Sequence, residues 1–164
     1  MKKILVINTG GTFNKVYNPL TGHLDIDKEG KALINLQKAW LNRFTIINII
    51  GKDSLEMTHQ DRETIVATIQ EHLAKRIIIV HGTDTINITA HYLNEKKLKR
   101  KIILTGAMIP YAINPIEATA NFSSAYGYIM NCDKKGVYIG MNGKIKNHKR
   151  VTKNKEKGYF VETK

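Results

Sequence analysis

The sequence is poor in cysteine and in long apolar runs. Its only cysteine is Cys132, so no disulfide can form within the chain. The four aliphatic residues from Ile4 to Ile7 precede polar Asn8, and this run is too short for the apolar region of a signal peptide. No run approaches the roughly 20 apolar residues that cross a bilayer. We therefore expect no membrane segment and a location in the reducing cytoplasm.

Acidic and aromatic residues are also scarce. The 26 lysine and arginine residues outnumber the 14 aspartate and glutamate residues, and the formal net charge is +12. The basic residues concentrate at 96–101 and 144–164. The first range contains no aromatic residue, and the second contains only the adjacent pair Tyr159 and Phe160, which is not the interleaved series that stacks on bases. Basic residues in the last turn of a helix are favoured by the helix dipole in any case. We interpret these runs as solvated surface and regard nucleic acid as an improbable partner.

Several cofactor motifs are missing. The chain contains no Gly-x-x-x-x-Gly-Lys-Ser/Thr loop and no Gly-x-Gly-x-x-Gly fingerprint, which argues against a nucleotide site. It has no His-Glu-x-x-His motif and no paired cysteines, so no metal site is predicted. His81 is interpreted as a hydrogen-bonded residue at the end of a strand rather than as a ligand.

Short aliphatic runs alternate with helical patterns along the chain. The runs predict five buried strands, at Ile4–Asn8, Phe44–Ile50, Arg76–His81, Lys101–Thr105 and Gly136–Met141. Helices are predicted at Lys31–Leu41, Thr58–Leu73, Asp84–Leu93 and Pro115–Met130. In the second of these, Thr58 and Asp61 form a Thr-x-x-Asp capping box, and Ile65, Ile69 and Leu73 follow at intervals of four on one face. This alternation predicts a single α/β domain over residues 1–141 with a doubly wound parallel sheet, flavodoxin-like or Rossmann-like. Residues 142–164 are predicted to be a basic tail.

Polar residues and glycines follow each of the first four predicted strands. Ligands of such sheets bind outside the carboxyl ends of the strands, so these segments should converge on one site. The four segments are Thr9-Gly10-Gly11-Thr12, Gly51-Lys52-Asp53-Ser54, His81-Gly82-Thr83-Asp84-Thr85 and Thr105-Gly106-Ala107-Met108.

A hydroxyl nucleophile fits this composition. Thr12 could attack a carbonyl carbon, with backbone N–H groups near Gly11 and Thr83 stabilising the oxyanion. Asp84 could orient or activate the site if a desolvated lysine joined it. Each piece also has a purely structural interpretation, with Thr9 to Thr12 as a turn and Asp84 as the N-cap of its helix.

Five motifs together resemble the bacterial-type L-asparaginase and glutaminase family. They are TGGTF at 9–13, DSLEMT at 53–58, HGTDT at 81–85, LTGAMIP at 104–110 and RVTK at 150–153. They occur in the family's order and span nearly the whole chain. The resemblance implies an amidohydrolase that splits asparagine, or a related amide, through an acyl-threonine intermediate and without a cofactor.

The resemblance also implies a role for each matching residue. Thr12 would be the nucleophile, supported by Thr83, Asp84 and Lys153, and Tyr17 would belong to a mobile lid. Ser54, with Asp53 beside it, would hold the substrate α-carboxylate, and Asp84 would hold the α-ammonium. Gly11 and Thr83 would donate N–H groups to the oxyanion, and the Ala107 carbonyl would face the amide.

The sequence also departs from the family pattern. Members are typically about twice as long, and this chain matches only their N-terminal domain. Leu55 follows the clamp serine where some relatives have glutamine, and Tyr111–Asn114 replaces a usual Ser-x-Asp. Three hypotheses therefore stay open at this stage: an amidohydrolase, a weakly active or non-catalytic amino-acid-binding or interaction module, and an RNA-associated amidase. The apolar residues of 115–130 further predict a homodimer or higher oligomer.

Overall fold

The central sheet has six strands, and five of them run parallel. The computed structural model describes residues 4–163. The strands are β1 (Ile4–Gly10), β2 (Lys15–Tyr17), β3 (Leu24–Ile26), β4 (Thr45–Lys52), β5 (Arg76–Val80), β6 (Lys101–Thr105), β7 (Gly136–Met141), β8 (Lys144–Asn147), β9 (Val151–Asn154) and β10 (Tyr159–Glu162). The helices are α1 (Lys31–Ala39), α2 (His59–Glu71), α3 (Ile86–Glu95) and α4 (Pro115–Asn131). The strand order is β4-β1-β5-β6-β7-β8, and only β8 is antiparallel to its neighbour.

The doubly wound fold predicted from the sequence is confirmed. Alternate residues of β1 face opposite sides of the sheet, because successive side chains of a strand point in opposite directions. Leu5 and Ile7 pack in one apolar cluster with residues of α2 and α3, while Ile4 and Val6 pack in another with residues of α1 and α4. Strand order reverses at β1, which has β4 on one side and β5 on the other. Such folds bind ligands at the carboxyl ends of the two strands where the order reverses, here β1 and β5.

Helix α2 begins as predicted but ends earlier. The Thr58 side chain accepts the Asp61 N–H, and the Asp61 carboxylate accepts the Thr58 N–H, so the predicted capping box is present. Ile65 and Ile69 are fully buried, as their spacing predicts. The prediction for Leu73 is wrong: its side chain is 94% exposed. The helix ends at Glu71 and the next residue is extended, so the helical period no longer applies two residues later.

The described part of the segment 142–164 contains three strands. Strand β8 extends the sheet at the edge of β7, and β9 and β10 form an antiparallel hairpin. Val151 and Phe160 belong to the apolar cluster that also contains α2 and α3. The hairpin is thereby anchored to the core, and Lys153 projects from its first strand. The division at residue 141 stays a prediction.

Candidate active site

The loops after β1, β4 and β5 pack against one another at the carboxyl edge of the sheet. The Gly11 N–H donates to the Lys52 carbonyl at 2.9 Å. A Cβ atom on Gly11 would lie 2.5 Å from both Cα and N of Gly82. Gly11 also has φ +72°, which side chains rarely tolerate. The glycines next to Thr12 are therefore required for loop packing, a reason that the sequence does not disclose.

The loop after β5 packs closely against the loop after β4 at Gly82. A Cβ atom at this position would lie 2.6 Å from Cβ and 2.8 Å from Oγ of Ser54. We expect Gly82→Ala to displace Ser54 and, in the amide hydrolysis that the sequence motifs predict, to raise the KM by about 10-fold or more, because small displacements in a site are costly. Gly127→Ala is the matched control, since a Cβ there meets nothing within 4 Å. Steady-state kinetics showing equal KM values for the two variants would contradict this packing argument.

Lys153 joins Thr83 and Asp84 in one hydrogen-bonded cluster. Its ammonium donates to Thr83 Oγ1 at 2.9 Å and to Asp84 Oδ1 at 2.8 Å. The Lys153 side chain is only 14% exposed, and that of Asp84 is 34% exposed. Thr83 is buried. Residues about 70 positions apart in the sequence thus form the triad that the resemblance implies, although their catalytic roles stay predictions.

Ser54 ties the loop after β4 to the start of α3. Its side chain is buried, and Oγ accepts the backbone N–H of Asp84 at 3.2 Å. Its carbonyl accepts the Thr85 hydroxyl at 2.8 Å. The segment 53–55 therefore sits directly beside Asp84, where the predicted substrate clamp would have to lie.

Asp53 is engaged by the hairpin of β2 and β3. Lys15 Nζ lies 2.9 Å from Asp53 Oδ2, and the Leu55 N–H donates to the same carboxylate. Burial alone would raise the pKa of Asp53, but these two partners outweigh it and hold the pKa below its ordinary value. Tyr17 lies on the same hairpin and is 64% exposed. Its role in a lid stays a prediction.

A pair of buried asparagines supports the turn that contains Thr12. Asn8 Nδ2 donates to Asn14 Oδ1 at 3.0 Å, and Asn14 Nδ2 donates back to Asn8 Oδ1 at 2.8 Å. Asn14 also donates to the Gly10 carbonyl at 2.7 Å. Sequence reasoning missed these residues, because polar residues at a strand end give no sign of which partner they face. Thr9, at the end of the same strand, is buried, and its hydroxyl donates to the Val80 carbonyl.

His81 is fully buried as a neutral ring. Its Nδ1 lies 2.7 Å from the Gly82 carbonyl, and its Nε2 lies 2.8 Å from Thr89 Oγ1. A carbonyl can only accept, so Nδ1 carries the proton and Nε2 accepts from the threonine hydroxyl. Arg62 donates to that hydroxyl and completes the network. Both ring nitrogens of His81 are therefore hydrogen-bonded at the end of a strand, as the sequence predicts.

Burial of His81 predicts a loss of stability in acid. Desolvation lowers its pKa from 6.5 to about 4. The unfolded chain binds the proton more readily, so the stabilisation is complete above pH 6.5 and is lost as pH falls from 6.5 to 4. We expect the free energy of unfolding to fall by roughly 3 kcal/mol over this range from His81 alone. Urea titrations of His81→Gln should show a flatter pH dependence, whereas a control at exposed His23 should leave it unchanged. An unchanged slope in His81→Gln would overturn the assignment.

Two kinds of feature are absent from the part of the chain that the structure describes. No three histidine, cysteine, aspartate or glutamate side chains in residues 4–163 lie close enough together to hold a metal ion. Within the same residues, no helix combines the length and apolar character needed to cross a bilayer.

Comparison with known proteins agrees with the motifs. The L-asparaginase 1 of Escherichia coli K12 is 29% identical over 168 aligned residues, which cover 96% of this chain and 49% of that protein. A relative from Haemophilus influenzae, described as a probable periplasmic L-asparaginase, is 28% identical over 93% of this chain and 46% of its own length. The chain thus spans about half the length of these curated relatives.

Solved structures share the fold. L-asparaginase I from Vibrio cholerae superposes with a TM-score of 0.81 and 25% identity, over 99% of this chain and 51% of that one. A probable cytoplasmic L-asparaginase from Campylobacter jejuni superposes with a TM-score of 0.73 and 27% identity, over 93% of this chain and 50% of that one. The family profile described as "Asparaginase, N-terminal" matches residues 3–159. The chain therefore belongs to the asparaginase family and corresponds to its N-terminal domain.

Proposed function

We propose that this chain hydrolyses a small amide, with L-asparagine as the first candidate, to the acid and ammonia through an ester on Thr12. One observation carries the proposal: a largely buried lysine, Lys153, bonds to Thr83 and Asp84 at the edge where the loop of Thr12 packs. A lysine that is partly withdrawn from water and held by a carboxylate is placed for proton transfer, which a solvated lysine in a basic segment is not.

The reaction divides into two steps. The Thr12 hydroxyl oxygen attacks the amide carbon, and its proton passes by way of Thr83 to Lys153, which acts as the base after its ammonium has released a proton to water. The tetrahedral intermediate expels the amide nitrogen, which takes up a proton and leaves as ammonia. Water then attacks the ester by the same route, so that the acid is released and Thr12 regains its proton. Asp84 keeps the Lys153 amine oriented throughout.

Backbone and side-chain groups of the neighbouring loops would hold the substrate. The N–H groups at Gly11 and Thr83 serve the oxyanion, and the Ala107 carbonyl receives the amide N–H. Ser54 takes the α-carboxylate, with Asp53 beside it. Such donors stabilise charge that develops only in the transition state, which is why their placement matters more than their number.

The test is ammonia release by the purified chain from asparagine, glutamine and succinamic acid under identical conditions. We expect hydrolysis of at least one of these amides, with a low kcat/KM for asparagine and tolerance of succinamic acid, which lacks the α-ammonium. Asp53 and Asp84 already pair with Lys15 and Lys153, so neither is free to bind an ammonium fully. A preference for asparagine over succinamic acid above about 10³-fold would contradict this reading of the site.

A second candidate is a weakly active or non-catalytic amino-acid-binding module. It is favoured by the carboxylates of Asp53 and Asp84, which are already paired with Lys15 and Lys153. Binding of asparagine in calorimetry without any ammonia release would select this function over hydrolysis.

We further propose that the chain forms a homodimer or higher oligomer. Three isoleucines near the turn after β6, Ile109, Ile113 and Ile116, are 44%, 59% and 75% exposed, and clustered exposed apolar side chains commonly mark interfaces. Light scattering at micromolar concentration should give a mass above 18.6 kDa, and a monomer would refute the proposal.

A cytoplasmic location is also proposed, and cell fractionation tests it. No role for nucleic acid is proposed.

A further inference from the structure

Two side chains of α4 hold the turn after β6. The Glu117 carboxylate accepts the backbone N–H of Met108 at 2.9 Å. Asn121 Nδ2 donates to the Gly106 carbonyl at 3.0 Å. Ala107 lies between these two anchored residues and is fully buried. The peptide groups on both sides of Ala107 are therefore fixed by α4, and so is the direction of its carbonyl.

The Asn121 side chain also holds the segment that leads to Lys153. Its Oδ1 accepts the backbone N–H of Asn142 at 2.9 Å. Asn142 Oδ1 in turn accepts the backbone N–H of Phe160 at 3.0 Å. Phe160 is the strand partner of Lys153 in the hairpin of β9 and β10. A chain of hydrogen bonds thus runs from Asn121 to the residue opposite Lys153.

Asn121 uses its whole amide group in these contacts. It is 3% exposed, and its Nδ2 also lies 3.2 Å from Glu117 Oε1. Burying an amide is unfavourable unless it is hydrogen-bonded, and leucine, which branches at the same carbon, would not carry that cost. What leucine could not do is connect the turn after β6 with the turn after β7.

We propose that Asn121 is a positioning residue that holds the Ala107 carbonyl and the Lys153 ammonium at a fixed separation. The inference rests on the amide hydrolysis proposed above, in which these two groups act on the same substrate. It adds that their alignment is set from α4, by a side chain that touches neither the substrate nor the reacting atoms.

Three variants distinguish the two links that Asn121 makes, one to the turn after β6 and one to the turn after β7. Asn121→Leu removes both of them and keeps the branching of the side chain. Asn142→Gly removes only the link to Phe160, and glycine tolerates the φ of +49° at this position. Asn131→Asp is the matched control on the same helix, because the Asn131 side chain bonds only to the nearby Gly127 carbonyl.

Kinetics should distinguish positioning from simple stabilisation. We expect kcat to fall between about 10- and 100-fold in Asn121→Leu and less in Asn142→Gly, since misplaced reacting groups slow the chemical step. The double variant should be less impaired than the product of the two single effects, because both act on Lys153 through one path. A merely structural role would lower the melting temperature but leave kcat of the folded enzyme unchanged, and that result would overturn the inference.

Nuclear magnetic resonance gives a readout that does not need activity. In Asn142→Gly the Phe160 amide should exchange its hydrogen faster and the Lys153 side-chain resonances should shift, while Asn131→Asp changes neither. Unmoved Lys153 resonances would overturn the inference even if Asn121→Leu fails to fold. If the wild-type chain releases no ammonia, the proposed function fails. The resonance changes in Asn142→Gly still decide whether the link from Asn121 through Asn142 holds the hairpin.

Discussion

Replacing Thr12 by alanine is expected to abolish ammonia release, with a loss in kcat on the order of 10³-fold or more. In the proposed mechanism the Thr12 hydroxyl oxygen forms the ester, so no other group of the loop could substitute for it. Folding should be preserved, because the turn is held by the packing of Gly11 on Gly82 and by the Asn8–Asn14 pair rather than by the Thr12 side chain. Circular dichroism and urea titration check the fold, and an ammonia assay checks the activity.

Thr12→Ser is the matched control for this loss. It keeps a hydroxyl at the same position and should retain a measurable part of the activity. Thr9→Ser tests the nearby threonine, whose hydroxyl donates to the Val80 carbonyl and takes no part in the proposed mechanism. Wild-type turnover by Thr12→Ala would remove Thr12 from the mechanism.

The second large effect is expected for Lys153→Met. Methionine keeps the length and much of the volume of the side chain but cannot carry a proton, and general acid–base groups contribute about 10²- to 10⁴-fold to rate. We expect kcat to fall within that range. Because Lys153 reaches Thr83 and Asp84 from the hairpin of β9 and β10, no neighbouring lysine can replace it without moving the strand.

Lys155→Met is the control for a change of charge in the same hairpin. Lys155 is exposed in the turn between the two strands, so its loss should leave kcat unchanged. Equal and small effects of the two substitutions would show that Lys153 is not the base, which would then have to be sought elsewhere.

The fold could be predicted from the sequence because its core strands are continuous aliphatic runs. Such runs are typical of strands that helices cover on both faces, and β5 and β6 begin and end close to where their hydrophobicity predicts. Where tertiary context decides, the pattern was insufficient. Leu73 continues the period of α2 but lies beyond its end, and β9 has too few apolar residues to indicate that it packs on the core.

The candidate site was predicted in part for a similar reason. Thr83, Asp84 and Ser54 follow strands whose carboxyl ends must meet, so their proximity follows from topology. Asn14, Glu117 and Asn121 could not be found in this way. Their importance depends on which backbone groups their side chains reach, and a helix pattern alone does not indicate that Asn121 bonds to a carbonyl fifteen positions away.

The most direct test of the central claim is acid-quenched mass spectrometry of the wild-type chain mixed with asparagine on the millisecond scale, followed by peptide mapping. Our account predicts a transient mass increase equal to one aspartyl group on the peptide that contains Thr12, absent from Thr12→Ala and accumulating before ammonia release reaches its steady rate. Ammonia release without any adduct on that peptide, or an adduct on a different residue, would contradict it.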